Sequence, residues 1–231
     1  MAEIREQYAA VVLLGHMNPL IFQPEWLRAN NIIGESEAKA AVENGGDDVI
    51  HKEITQLSLA KKSILVEQGR FTVTALEEPL VSAKDFALGC FRLLPHTPIS
   101  AMGLNFITVF RLSDHVKWHA MGDGLVPKAP WDALLAPPEG KQGVRVGGMR
   151  NLTIERSQRP DEHLGYIRVI VEGVEGSQPD TKFGVNDHYQ FDPKSPKSAG
   201  DVMDLLEEQW EIARLRAKKI TDSIMDWADG L

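Results

Sequence analysis

Apolar residues run without a break from residue 8 to residue 14 and stop at Gly15, the pattern of a strand covered on both faces. His16, Met17, Asn18 and Pro19 then read as a turn, and Pro24 opens a helix at a position where its missing N–H is tolerated. That helix, or a pair broken near Asn30, Asn31 and Gly34, runs to Glu43 and is closed by residues 44–48. Over residues 49–77 the period changes to two. Ile54, Gln56 and Ser58 alternate with Thr55, Leu57 and Leu59, and Phe71, Val73 and Ala75 alternate with Arg70, Thr72 and Thr74. Turns are expected at residues 61–63 and 68–69. Phe86, Cys90, Phe91 and Leu94 return to helical spacing, with Ser82 as the expected N-cap and Asp85 three residues on. Residues 95–98 end that helix, and residues 99–112 form a second long apolar strand with Gly103 inside it.

Residues 8–112 thus give strand, helix, strand, strand, helix, strand, the order of a split βαβ, ferredoxin-like unit. The second half opens with a helix start at residues 113–115, interrupted at Gly122, Gly124, Pro127 and Pro130. A loop over residues 136–143 follows, and then three strands at 144–155, 165–173 and 182–191 in a meander. The fold expected is α+β: a ferredoxin-like unit over residues 1–112, continued or packed by the strands of residues 113–231, the two halves forming one or two domains. A long helix closes the chain. From Ala199 to Ala228 there is no proline, the only glycine is Gly200, and Ser198 is available as the cap. Leu206, Trp210, Ala213, Ala217, Ile220, Ile224 and Trp227 recur at steps of four and three, one apolar seam along a rod of about 45 Å. Such a seam either lies across a sheet or meets a copy of itself.

Composition narrows the function classes. The chain has 231 residues, a net charge of −8 and one cysteine, Cys90, so an intramolecular disulfide and a cysteine-rich zinc site are both excluded. A reducing, cytoplasmic setting is the expectation, since no apolar run reaches the length of a membrane span and the amino-terminal residues lack the positive charge of a secretory signal. Up to residue 115 there are 10 Lys/Arg against 14 Asp/Glu, and beyond it 15 against 19. Neither half carries the basic field that binding of duplex nucleic acid requires, which argues against nucleic acid as a partner.

Candidate chemistry is sparse. Asp114, His115, His119 and Asp123 lie at helical spacing, and two histidines four apart share a face able to bind one metal. A metalloprotease would need glutamate where Val116 stands. His16 and His96 follow the first strand and precede the second long one, a possible small-ligand site. There is no Gly-x-Ser-x-Gly elbow, and Cys90 falls on the apolar side of its helix as inert packing. Gly147-Gly148 reads as a bulge in a strand, and Asn186-Asp187-His188-Tyr189 as a bulged edge. No cofactor is expected.

The segments Tyr8-Ala-Ala-Val-Val-Leu-Leu-Gly-His-Met-Asn-Pro19 and His96-Thr-Pro-Ile-Ser-Ala-Met-Gly-Leu-Asn-Phe106 resemble a sporadically distributed family of bacterial conserved hypothetical proteins of similar length. The resemblance implies a duplicated or fused α+β architecture and a bacterial cytoplasmic origin, and brings no catalytic residues with it. The function expected is a non-enzymatic interaction or assembly subunit, pairing with itself or another protein through the helix seam. A metal-dependent hydrolase or nuclease using Asp114, His115, His119 and Asp123 is one alternative, and a small-ligand sensor is the other.

Overall fold

A computed structural model describes residues 2–43, 48–141, 143, 146–174, 176, 179–192 and 194–231. The fold is mixed α+β, a multi-stranded sheet with a long C-terminal helix. The first strand, β1 (Glu3–Gly15), leads into α1 (Pro24–Ala29) and α2 (Glu35–Glu43), separated where Asn31 takes a positive φ of 58°. The closing residues expected at 44–47 lie outside the described residues. The period-two stretch makes four strands: β2 (Val49–Ile50), β3 (Ile54–Ser58), β4 (Lys62–Glu67) and β5 (Arg70–Ala75). The turn before β4 closes two residues earlier than expected, with the Leu59 N–H donating to the Lys62 carbonyl at 2.8 Å.

Helix α3 (Ser82–Leu93) begins at Ser82 itself. Ser82 does not cap it: the cap position is Val81, which makes no side-chain bond, and the chain enters through a turn in which the Ser82 N–H donates to the Pro79 carbonyl at 3.0 Å. Strand β6 (Pro98–Arg111) follows. In the second half, α4 (His115–Leu125) is followed by a 3-10 turn at Ala129–Trp131 and a short α5 (Asp132–Leu135). The meander is β7 (Asn151–Arg156), β8 (Gly165–Gly173) and β9 (Asp180–Gln190), and a two-residue β10 (Lys197–Ser198) precedes α6 (Ala199–Asp229). Gly147 and Gly148 precede β7 and lie in irregular chain, so they are not a bulge within a strand. Ser198 caps α6 as expected, its side chain accepting from the Asp201 N–H at 3.2 Å.

All the strands join one antiparallel sheet in the order β2-β3-β4-β5-β1-β6-β9-β8-β7, with β10 beside the start of β6. The pairing of β6 with β9 is unbroken from Ala101↔Gln190 to Arg111↔Asp180, so the sheet passes without a gap from the first half of the chain into the second. Strand β9 is therefore interior, flanked by β6 and β8. The bulged edge expected at residues 186–189 is a regular central ladder, because its polar side chains are accommodated by partners that the sequence places far away.

Alternation divides the sheet into two unlike faces. Ala9, Val11 and Leu13 of β1, Met102, Leu104 and Phe110 of β6, and Phe183, Val185 and Tyr189 of β9 are buried on the face that carries the helices. Two aromatic clusters organise that layer. Phe22 and Phe91 enclose Phe71 with ring centroids 5.4 and 4.9 Å from it, and Trp210 of α6 lies 5.1 Å from Phe106. Gly15 ends β1 because the chain crosses β6 there: a Cβ would stand 2.1 Å from the Pro98 carbonyl oxygen. Among the described residues the helix contacts fall on this one face, so the double cover that the unbroken apolar run of β1 predicts is met there on one side only.

Candidate functional site

The seam of α6 faces the sheet. Leu206, Trp210, Ala213 and Ala217 are buried, Ile220 and Ile224 are half-buried against the core, and Trp227 is 38% exposed. Beyond Ala217 the cover passes to α4: Lys117 Nζ donates to the Asp229 carbonyl, and the Trp227 ring lies where a Cβ on Gly124 would come within 2.8 Å of it. The surface that the sequence offers for self-pairing is thus occupied by the chain's own sheet along its first four seam positions.

The histidine and aspartate cluster of α4 does not converge. Asp114 is the helix N-cap, accepting from the Lys117 N–H at 2.9 Å and from Ser113 Oγ at 2.9 Å, and the Lys117 bond holds its carboxyl below the usual range. His115 is exposed, His119 lies 5.0 Å from the Trp118 ring, and Asp123 pairs with Lys128 at 3.2 Å. Among the described residues no three His, Cys, Asp or Glu side chains are placed to hold a metal ion. His16 and His96 are both exposed. Their segments touch through the backbone, the His16 N–H donating to the Pro98 carbonyl at 3.1 Å, but the shallow groove beside His16 is lined by Met17, Asn18, Lys52 and Gln68 rather than by His96. Cys90 is fully buried, and burial pushes its thiol up.

Two features were not found from the sequence. The first is a buried charge cluster between the β7–β8 connection, β9 and α6. Arg159 has a fully buried side chain. It donates to Asp161 through Nε at 2.9 Å and Nη2 at 2.5 Å, to Asp187 and the His188 carbonyl through Nη1, and lies 3.7 Å over the Tyr189 ring. Arg216 of α6 donates to the other oxygen of Asp187. Burial alone would raise the Asp161 carboxyl, but the bonds and charge of Arg159, with Arg216 behind it, hold it below the usual range. The Tyr189 hydroxyl, pushed up by burial, donates to Gln209 of α6 at 3.3 Å. A signal for this cluster was present: Phe183, Val185, Asp187 and Tyr189 share one face, so a carboxylate occupies a core position and must have a cation.

The second is the face of the sheet away from the helices. Its centre is built of small and amide side chains, Ala10, Gly103, Asn105, Gly184 and Asn186, with Tyr8, Val12, Ile107 and Ile170 partly exposed around them. Its charges cancel across strands. Glu155 accepts from Arg168 at 2.7 Å and Lys182 meets Glu172 at 2.8 Å, each pair directly opposite in register. The Tyr166 ring stacks on His188 at 4.4 Å, with the Arg168 guanidinium 4.5 Å over its centre. Burial keeps His188 below its ordinary titration range. At the centre, Asn186 Oδ1 is buried and has no hydrogen-bond partner; a Cβ on Gly103 would lie 3.5 Å from it.

Compared with known proteins, the chain matches no family model and no curated protein. Among the described residues, no helix is long and apolar enough to cross a membrane.

Proposed function

We propose that this chain is a non-enzymatic assembly protein that pairs with a second copy of itself, and that the contact surface is the helix-free face of the sheet. The observation that carries this reading is the mismatch between β1 as a sequence and its cover: it is apolar at successive positions from Tyr8 to Leu14, yet among the described residues helices lie on one side only. Three further points support a second copy as the occupant. Two charge pairs on the face, Arg168 with Glu155 and Lys182 with Glu172, are already cancelled across strands. Its central Asn186 and its register partner Asn105 present amides, which both donate and accept and so are complementary to themselves across a two-fold axis. Six strands from β4 to β8 span about 30 Å by about 22 Å along the strands, roughly 650 Å² in plan before side-chain relief, near the ~800 Å² per partner of a stable interface.

The order β6-β1-β5-β4 supports reading residues 1–112 as a ferredoxin-like unit, with β3 and β2 added at one edge and the meander at the other. The test is light scattering of the purified chain and of Gly184→Arg. A Cβ at Gly184 meets only Ile107 Cγ1, at 3.9 Å, so this change puts a cation on the face without disturbing the core. A dimer that Gly184→Arg splits, with its thermal midpoint kept, is the expected result. A wild-type monomer at micromolar concentration, or a dimer indifferent to Gly184→Arg, refutes it.

A further inference from the structure

On the opposite, helical side, a groove of about 410 Å³ opens between the start of α3, the paired strands β1 and β6, and α6. Its floor is apolar, made by Phe106, Trp210 and Ala217, and its wall is Leu80 and Val81. The Gln7 amide, donating to Thr108 Oγ1 at 3.4 Å, contributes a polar end. The volume suits one small molecule, its apolar body on the floor and its polar contacts at a charged rim.

The rim decides which molecule. Six charged side chains line it, three of each sign, and most are already satisfied inside the protein. Arg214 grips Glu211 with two bonds of 2.6 and 2.7 Å, Glu207 accepts from Arg92 at 2.6 Å, Lys218 donates to Asp222 at 2.6 Å, and Glu78 accepts from the Leu80 N–H at 3.0 Å. Lys84 differs. Its side chain is only 19% exposed, yet its ion pair is a long one, 3.6 Å, to the neighbouring and well-solvated Asp85. Glu211 on α6, whose carboxylate feels the Lys84 charge, is committed to Arg214. The groove therefore combines an aromatic floor with one sheltered and weakly compensated cation at its edge.

We infer that this groove is a binding site for a small monocarboxylate with an aromatic or branched apolar body, the body lying on Phe106 and Trp210 and the carboxylate meeting Lys84 Nζ. The acids on the rim, each held by a partner of its own, disfavour a second negative charge on the ligand. The floor and wall of the groove lie on the helical side, opposite the centre of the proposed self-pairing surface.

The probe is phenylbutyrate, compared with phenylbutanol, which keeps the apolar body and lacks the carboxylate. Titrations followed by amide and indole NMR shifts are expected to saturate at the Trp210 indole and at residues 80–84. Lys84→Gln is expected to weaken phenylbutyrate about tenfold, the worth of a charge-assisted hydrogen bond, and to leave phenylbutanol unchanged. Lys84→Arg restores the acid's affinity. Both variants keep an aliphatic stem like the one Lys84 packs on α3, and an unchanged spectrum away from the groove is the check that each folds. Shifts that cluster elsewhere, equal affinity for acid and alcohol, no saturation at millimolar acid, or a Lys84→Gln variant that binds the acid as well as wild type would each overturn the assignment.

Discussion

Arg159→Met tests whether the buried charge cluster is what fastens the β7–β8 connection and α6 to the sheet. Methionine keeps most of the apolar stem, so the perturbation is the loss of the guanidinium rather than a large cavity. With it go the bonds to both oxygens of Asp161, one bond to Asp187, the bond to the His188 carbonyl and the stacking on Tyr189. Asp187, whose side chain is 1% exposed, keeps only Arg216. Removing one partner of a buried ion pair typically destabilises by about 3–5 kcal/mol, and the surviving Arg216 contact places Arg159→Met near the lower end, about 3 kcal/mol. In a domain of this size that lowers the melting temperature by roughly 10 °C. Asp187→Asn leaves two arginines facing each other and is expected to be worse. The double variant should lose less than the sum of the two, because each single change strands the other's charge. Urea unfolding with a common m-value is the assay. A loss below about 1 kcal/mol for Arg159→Met, or strict additivity in the double variant, would show that water already screens the cluster and that the reasoning from burial is wrong.

Trp210→Ala removes a side chain 3% exposed against Phe106 and is expected to destabilise the folded chain by about 3–5 kcal/mol in denaturant titration; a loss under about 1 kcal/mol would mean α6 is not seated on the sheet as described. Ser198→Ala removes the α6 cap and should cost about 1 kcal/mol by the same measurement. His188 is a base whose folded pKa burial depresses below the ordinary ~6.5, so as pH falls through that value the unfolded chain takes up the proton first and stability drops. The denaturation midpoint should therefore fall between about pH 7.5 and about pH 5.5, with His188→Gln flatter over that window. Asp161 acts in a separate window: its depressed pKa adds stability that is present above about pH 4 and is lost as the pH falls further, so Asp161→Asn should leave the His188 step untouched.

Much of the fold was legible because it rests on local signals. The breaks at Asn31 and Gly34, the alternation of residues 54–75, the Ser198 cap and the seam of α6 are each set by residues within a few positions of one another. What failed depended on distant residues. Ser82 looks like a cap, but the chain enters α3 through the Glu78–Pro79–Leu80 turn, whose backbone groups already satisfy the first N–H donors. Asp187 looks like a disturbance in a strand, and becomes a core residue only when Arg159, 28 positions earlier, and Arg216, 29 positions later, reach it. His115 and His119 share a helix face by spacing, but among the described residues no three His, Cys, Asp or Glu side chains are placed to hold a metal ion, and α4 packs on α6 through Lys117 and Gly124.

The one-sided helix layer gives the unbroken apolar run of β1 a second meaning. A strand with one wet face ordinarily alternates, because polar residues on the outer face are free and apolar ones invite aggregation. In β1 the outward positions are Tyr8, Ala10, Val12 and Leu14, and in β6 they include Ala101, Gly103, Ile107 and Val109. Of the flanking strands, β5 alternates, with Arg70, Thr72 and Thr74 outward, and β8 sets Arg168 and Glu172 beside Tyr166 and Ile170. An apolar, small-residue strip bordered by internally paired charges is the pattern of an interface core with its rim. Among the described residues α6 does not relieve this strip, because its apolar seam is spent on the opposite face, and a second copy of the chain is the cover proposed for it.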